Sequence, residues 1–195
     1  MGADMKTTFL NTAILLALAA PTFAALQAGE MAPPIETSAS LAGKEFHYSL
    51  QAALKNGTVV VYFYPSAFTQ GCNVQAHTFS QRMDKFTAAG ASVIGVSLDN
   101  ITQLNDFSKD PDYCAGKLAV ASDQDGKIAK SFDLQIAAAN ASFKDTRGVE
   151  IGHGFAERTT FIVTTDGKIA ATIGGLAPAE NVQKALQAVQ AQNSK

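Results

Sequence analysis

Two rhythms of apolar and polar positions divide the chain. Residues 58–64 (TVVVYFY) form a short, wholly apolar run of β-branched and aromatic side chains, the pattern of a strand covered on both faces. Beyond Pro65 the period changes. Ala76, Phe79, Met83 and Phe86 recur at spacings of three and four, which predicts an amphipathic helix ended by Gly90. Residues 91–98 (ASVIGVSL) read as a second buried strand. Ile101, Leu104 and Phe107 mark a second helix with Asn100 as its N-cap. Residues 118–121 form a short third strand, and Asp125-Gly126 opens a third helix through Ile128, Ala129 and Phe132. Residues 159–164 are a fourth strand. Asp166-Gly167 signals a hairpin from which residues 168–173 return antiparallel. Val182, Ala185, Leu186 and Val189 outline a last helix.

Ahead of this core, residues 44–50 (KEFHYSL) alternate as an edge strand does, and Asn56-Gly57 is a turn signal. Residues 25–40, with Pro33 and Pro34, have no period and read as an N-terminal arm or linker. Residues 135–155 are polar, rich in small residues and aperiodic. They read as a long loop, and such loops in compact domains are often functional. The alternation of strands and helices predicts an α/β sandwich with a mixed central sheet over residues 41–195. No internal repeat is visible.

The N-terminus has another character. Lys6 supplies a positive charge ahead of residues 9–20 (FLNTAILLALAA), an apolar run of export-signal length and too short for a membrane span. Thr22 and Ala24 are the small residues of a cleavage site after Ala24. Residues 1–24 are therefore expected to be a signal peptide, with Met5 a more natural start than Met1. A buried helix or short membrane anchor is the alternative. Cleavage would leave a periplasmic or secreted chain without stable membrane association, in an oxidising compartment. Basic residues number 15 against 17 acidic ones. That near balance excludes a strongly basic nucleic-acid binder.

Only Cys72 and Cys114 occur, so there is no disulfide framework and no four-cysteine zinc site. Cys72 falls at the junction of the first core strand and first helix, in the stretch PSAFTQGC. Unpaired backbone amides and the positive end of the helix dipole favour negative charge there, and a thiolate is the nucleophilic form of cysteine. Thr69 can bring a hydroxyl beside the sulfur. Pro65 fixes the direction in which the chain leaves the strand. On position alone, a small buried hydrophobic cysteine fits as well.

The spacing Pro-x-x-x-Thr-x-x-Cys resembles the active-site motif of the peroxiredoxins. The stretches VVVYFYPSAFTQGCNVQAHTF, ASVIGVSLDN, LAVASDQDGKIAKSFDL and ERTTFIVTTDGKIAATIGG are similar to that family's successive segments, from about residue 41 to 190. The bacterioferritin comigratory protein, or peroxiredoxin Q, group resembles it most. The resemblance implies a thioredoxin-like fold and a thiol-dependent peroxidase needing no metal or organic cofactor. It implies Cys72 as the peroxidatic cysteine, with Pro65, Thr69 and Arg158 as its partners. Peroxide would be the substrate, and a thioredoxin-like or other dithiol the reductant. Cys114 fits the place where some members carry the resolving cysteine.

Two departures stand out. The branch often has Glu where this chain has Gln75, so the charge network beside the cysteine differs. It often has a resolving cysteine where this chain has His77. His77 lies about 140° round the helix from Cys72, and a surface or packing role is expected. His153, in the loop just before Arg158, either lines the pocket or, as the preferred reading, is a solvated loop residue, while Glu157 either orients Arg158 or is merely exposed. Competing readings remain. A thioredoxin-type thiol–disulfide oxidoreductase would need a cysteine at Gln75, and a copper-binding assembly factor would need one at Ala76. A non-catalytic module would hold a static Cys72–Cys114 disulfide but has no use for the Pro65, Thr69 and Arg158 set.

Overall fold

A computed structural model of the chain describes residues 25–139 and 142–192. The expected signal peptide, residues 1–24, lies outside the described residues. The elements run β1 (Glu36–Leu41), β2 (Lys44–Ser49), α1 (Leu50–Leu54), β3 (Thr58–Phe63), α2 (Gln70–Ala88), β4 (Ala91–Ser97) and α3 (Ile101–Lys109). They continue with β5 (Ala119–Ser122), α4 (Lys127–Ser131), β6 (Ile136–Ala137), β7 (Phe155–Ala156), β8 (Thr159–Val163), β9 (Ile169–Gly174) and α5 (Pro178–Gln192).

The main sheet has seven strands in the order β2-β1-β5-β4-β3-β8-β9. Strands β3, β4 and β5 are parallel to one another, while β1, β2, β8 and β9 each pair antiparallel. This is the mixed, helix-flanked sheet of a thioredoxin-like fold. The apolar run of β3 is explained by its two covered faces. Val60, Tyr62 and Tyr64 point into one core with Phe79 and Phe86 of α2, Phe107 of α3 and Val182 of α5. Val59, Val61 and Phe63 point into the other with Leu50 of α1, Ala129 of α4 and Phe161 of β8. Successive side chains of a strand face opposite ways, so a strand covered twice has no polar position to spare.

Asn100 caps α3 as expected, its side chain accepting from the Gln103 amide at 2.9 Å. Two stretches differ from their sequence patterns. Residues 36–40, placed in the arm, form most of β1. Its residues are small or polar up to Leu41 (ETSASL), and its place is set by backbone pairing with β2 on one side and β5 on the other. The long aperiodic loop is bracketed by the two-stranded β6–β7 sheet, Ile136 pairing with Ala156 and Ala137 with Phe155. Among the described residues no helix is long and apolar enough to cross a membrane.

Candidate active site

Strand β3 ends at Phe63, and residues 64–69 carry the chain over the sheet edge into α2. The turn is held by a buried carboxylate. Asp99, fully buried just beyond β4, accepts from the Ala67 amide at 2.7 Å and from the hydroxyls of Ser66 and Ser97 at 2.9 and 2.7 Å. Gln103 Nε2 donates to it at 2.9 Å. His153 Nε2 lies at 2.9 Å from the same oxygen, with Nδ1 bonded to its neighbour's carbonyl. Expected to be solvated, His153 is instead half-buried, because Asp99 supplies a charged partner inside the fold. Burial lowers its pKa, but the hydrogen bond and charge of Asp99 and the Gly154 carbonyl outweigh that and leave it above its usual value.

Phe68 sits at the tip of this turn with φ of 59°. Such a conformation is unfavourable for a side chain with a Cβ and is held by its surroundings. The long loop provides them. The Thr146 amide and hydroxyl both donate to the Phe68 carbonyl, at 2.9 and 2.7 Å. The Arg147 guanidinium lies 3.4 Å over the Phe68 ring, a cation–π contact. Arg147 is itself paired with Asp145 at 2.6 Å. On its inner side Phe68 packs edge-on against Phe107 and Tyr113.

Thr69 is the N-cap of α2, with an extended backbone, and its carbonyl accepts from the Asn73 amide at 2.8 Å. Its hydroxyl donates to the Ser66 carbonyl at 2.8 Å, bracing the turn from within. Pro65 opens the turn and is half-buried. Cys72 lies in the first turn of α2 and is 2% exposed. Arg158, in the residue before β8, reaches over it with Nη2 at 3.4 Å from Sγ. Gly71 leaves room for that approach: a Cβ there would stand 3.2 Å from Arg158 Nη2, a tight contact. Of the residues expected at the site, Cys72 and Arg158 are in contact, and Pro65 and Thr69 lie in the turn that leads to the same helix start, with the Thr69 hydroxyl bonded to Ser66 rather than to the sulfur. A cationic donor and the start of a helix both face the sulfur, where negative charge developing on a reacting oxygen would be stabilised.

Cys114 lies elsewhere on the same core. It is fully buried in the turn segment between α3 and β5, and both cysteines are free. Burial first, and the Asp110 charge second, push its thiol pKa well above the usual range. His77 bonds the Asp112 carbonyl at 2.8 Å, so α2 is tied to the segment that carries Cys114. Glu157 is exposed. The partner of Arg158 is the buried Gln75, whose Oε1 accepts from Nη1. Gln75 in turn donates to Asn181 of α5, a residue that nothing in the sequence pattern singled out. Among the described residues no cluster of His, Cys, Asp or Glu is arranged to hold a metal ion.

This combination of fold and corner defines a class, the thiol-dependent peroxidases built on a thioredoxin-like sheet. The model of the AhpC/TSA family matches residues 28–172, and the chain belongs to that family. Peroxiredoxin Bcp of Escherichia coli is 30% identical over 146 residues, spanning 74% of this chain and 83% of that protein. Peroxiredoxin Bcp of Xanthomonas campestris is 29% identical over 111 residues, or 57% of this chain and 62% of that protein. A solved structure of the Xanthomonas campestris bacterioferritin comigratory protein, described for its alkyl peroxide reduction, superposes with a TM-score of 0.63. It is 25% identical and covers 80% of this chain and 90% of that one. Within the family the chain is a peroxiredoxin of the bacterioferritin comigratory protein, or peroxiredoxin Q, type.

Proposed function

We propose that the mature chain begins near Ala25 and is an exported peroxidase that reduces hydrogen peroxide and organic hydroperoxides through Cys72. The Cys72 thiolate attacks one peroxide oxygen and the O–O bond breaks. The sulfur is oxidised to a sulfenic acid, and the other oxygen leaves with the bonding pair and takes up a proton as water or an alcohol. Arg158 holds the thiolate and donates to the departing oxygen. The Cys114 thiol then attacks the sulfenic sulfur, water leaves, and a Cys72–Cys114 disulfide forms. A thioredoxin-like or other dithiol reductant takes the oxidation away by thiol–disulfide exchange.

The observation that carries this reading is the 3.4 Å approach of Arg158 Nη2 to Cys72 Sγ at the head of α2. A structural disulfide has no use for that contact. Reduction of organic hydroperoxides is supported by the alkyl peroxide reduction described for the Xanthomonas protein. Export is supported by the charged, apolar and small-residue succession of residues 1–24. The decisive experiment is peroxide consumption by the purified mature chain with dithiothreitol, beside Cys72→Ser. Consumption by the wild type alone supports the reading, and equal consumption by the serine variant defeats it. Mass spectrometry of the chain from its native host tests export, an intact Met1 or Met5 in the soluble cytoplasmic fraction being the adverse result.

A further inference from the structure

Arg158 needs an acceptor that holds its guanidinium against the sulfur, and in this chain the acceptor is a neutral amide. A carboxylate presents oxygen whichever way it turns. An amide presents oxygen on one side and NH₂ on the other. Turned over, Gln75 would set its NH₂ against a guanidinium that can only donate.

The hydrogen bonds behind Gln75 fix which way it faces. The Ile173 carbonyl can only accept, and Asn181 Nδ2 donates to it at 3.1 Å. Asn181 Oδ1 is therefore turned toward Thr160 and Gln75. It accepts from Thr160 Oγ1 at 2.6 Å and from Gln75 Nε2 at 3.1 Å. Gln75 Oε1 is thereby left facing Arg158, whose Nη1 donates to it. Gln75, Thr160 and Asn181 are all fully buried, so the direction of each bond is dictated by its neighbour. The polarity runs from a backbone carbonyl of β9 to the guanidinium at Cys72.

We propose that Asn181 is a positioning residue for the peroxidase reaction: by fixing the polarity of Gln75 it holds Arg158 in line with the Cys72 sulfur. The inference rests on the roles of Cys72 and Arg158 proposed above. Without Asn181, Gln75 is free to turn over and Arg158 loses a defined position.

The test is the second-order rate of Cys72 oxidation by hydrogen peroxide in the full mature chain. The chain has no Trp, so the rate is read by quenched alkylation and mass spectrometry. Asn181→Ala and Gln75→Ala should each lower the rate by about 10- to 100-fold, up to the scale of a misplaced catalytic group. The double variant should be no slower than Gln75→Ala, because Asn181 acts only through Gln75. In the Asn181→Ala background, Gln75→Glu should restore most of the loss, since a carboxylate offers Arg158 an oxygen in either orientation. An unchanged rate in Asn181→Ala, losses that multiply in the double variant, or no rescue by Gln75→Glu would each overturn the proposal. Asn181→Leu, close in size, repeats the cycle if the alanine variant does not fold. Cys72→Ser and Arg158→Ala are measured alongside. Peroxide consumption by Cys72→Ser equal to that of the wild type defeats the peroxidase reading itself. If Cys72→Ser is inactive and Arg158→Ala slow while Asn181→Ala behaves as wild type, the positioning role alone fails.

Discussion

His77 Nδ1 lies 2.8 Å from the carbonyl oxygen of Asp112 and must donate to it, because a carbonyl only accepts. The bond joins α2, which carries Cys72, to the turn that carries Cys114. His77 occupies the position where relatives of this branch often place a resolving cysteine, and here it holds down the segment bearing the other thiol.

Removing that tie should loosen the segment. An exposed bond of this kind is worth about 0.5–1 kcal/mol, so His77→Ala should speed amide exchange over residues 110–118 roughly two- to five-fold. Hydrogen exchange with mass spectrometry reads this directly. Unchanged exchange there would show that packing of Tyr113 and Cys114, not the imidazole, holds the turn.

In the proposed mechanism Arg158 acts on both the thiolate and the leaving oxygen. Arg158→Ala should lower the second-order rate with peroxide by roughly 10²–10³, the usual loss for one transition-state donor. Arg158→Lys should recover only part, since an ammonium cannot reach Cys72 and Gln75 at once as a planar fork does. Rapid-quench kinetics at fixed pH separates the three, and an unaffected alanine variant would remove Arg158 from the chemistry.

The His153–Asp99 pair makes stability depend on pH. The folded pKa of His153 is raised above 6.5. Its protonated form is favoured by folding, so the contribution is complete below the unfolded value and fades as pH rises through the folded one. His153→Ala should therefore cost about 1–2 kcal/mol on the acid side, as for a bond to a charged group. The gap should narrow as pH rises. Denaturant unfolding of both proteins across this range provides the check, and a pH-independent difference would contradict the assignment. The same variant loosens one of the donors that hold Asp99 under Ser66 and Ala67.

Much of this site was legible before any coordinates. Cys72 stands in a motif whose spacing reports a strand, a turn and a helix start, Arg158 is indicated by the resemblance to the peroxiredoxins, and each strand of the parallel core is an apolar run. What the sequence could not reveal depends on partners far along the chain. Strand β1 carries no bulky apolar side chain before Leu41 at its end, and its place is set by the pairing of β2 and β5 with its backbone. Asp99 reads as an ordinary polar residue after a strand, until Ser66, Ala67 and His153 converge on it. Asn181 looks like a polar position on an amphipathic helix, and only the fold sets it against Gln75. Gly71 reads as an ordinary loop glycine, and only the fold sets the Arg158 guanidinium beside it.

The last prediction concerns how the oxidised sulfur is resolved. In the reduced chain Cys72 is held in the first turn of α2, and Cys114 is sealed in the core with its thiol pKa pushed up by burial and by Asp110. A thiol in that state is a poor nucleophile, and a disulfide requires Cα atoms about 4.4–6.8 Å apart. Formation of the proposed link should therefore require local unfolding. The first turn of α2 and the segment 111–118 are expected to leave their places, with Phe68 and Tyr113 losing their mutual contact. Opening exposes Cys114 to water, which removes the burial penalty on its thiolate at the moment it is needed. It also sets a competition: while α2 stays wound, a second peroxide can carry Cys72 on to the sulfinic acid. Variants that loosen the turn, such as His77→Ala, should then form the disulfide faster and resist over-oxidation, in the same proportion as their gain in exchange. Peptide mapping after one equivalent of peroxide should find a Cys72–Cys114 link, with faster exchange in both segments of the oxidised form. A sulfenic acid that persists while Cys114 stays free, or Cys72–Cys72 dimers, would mean that resolution comes from outside the chain.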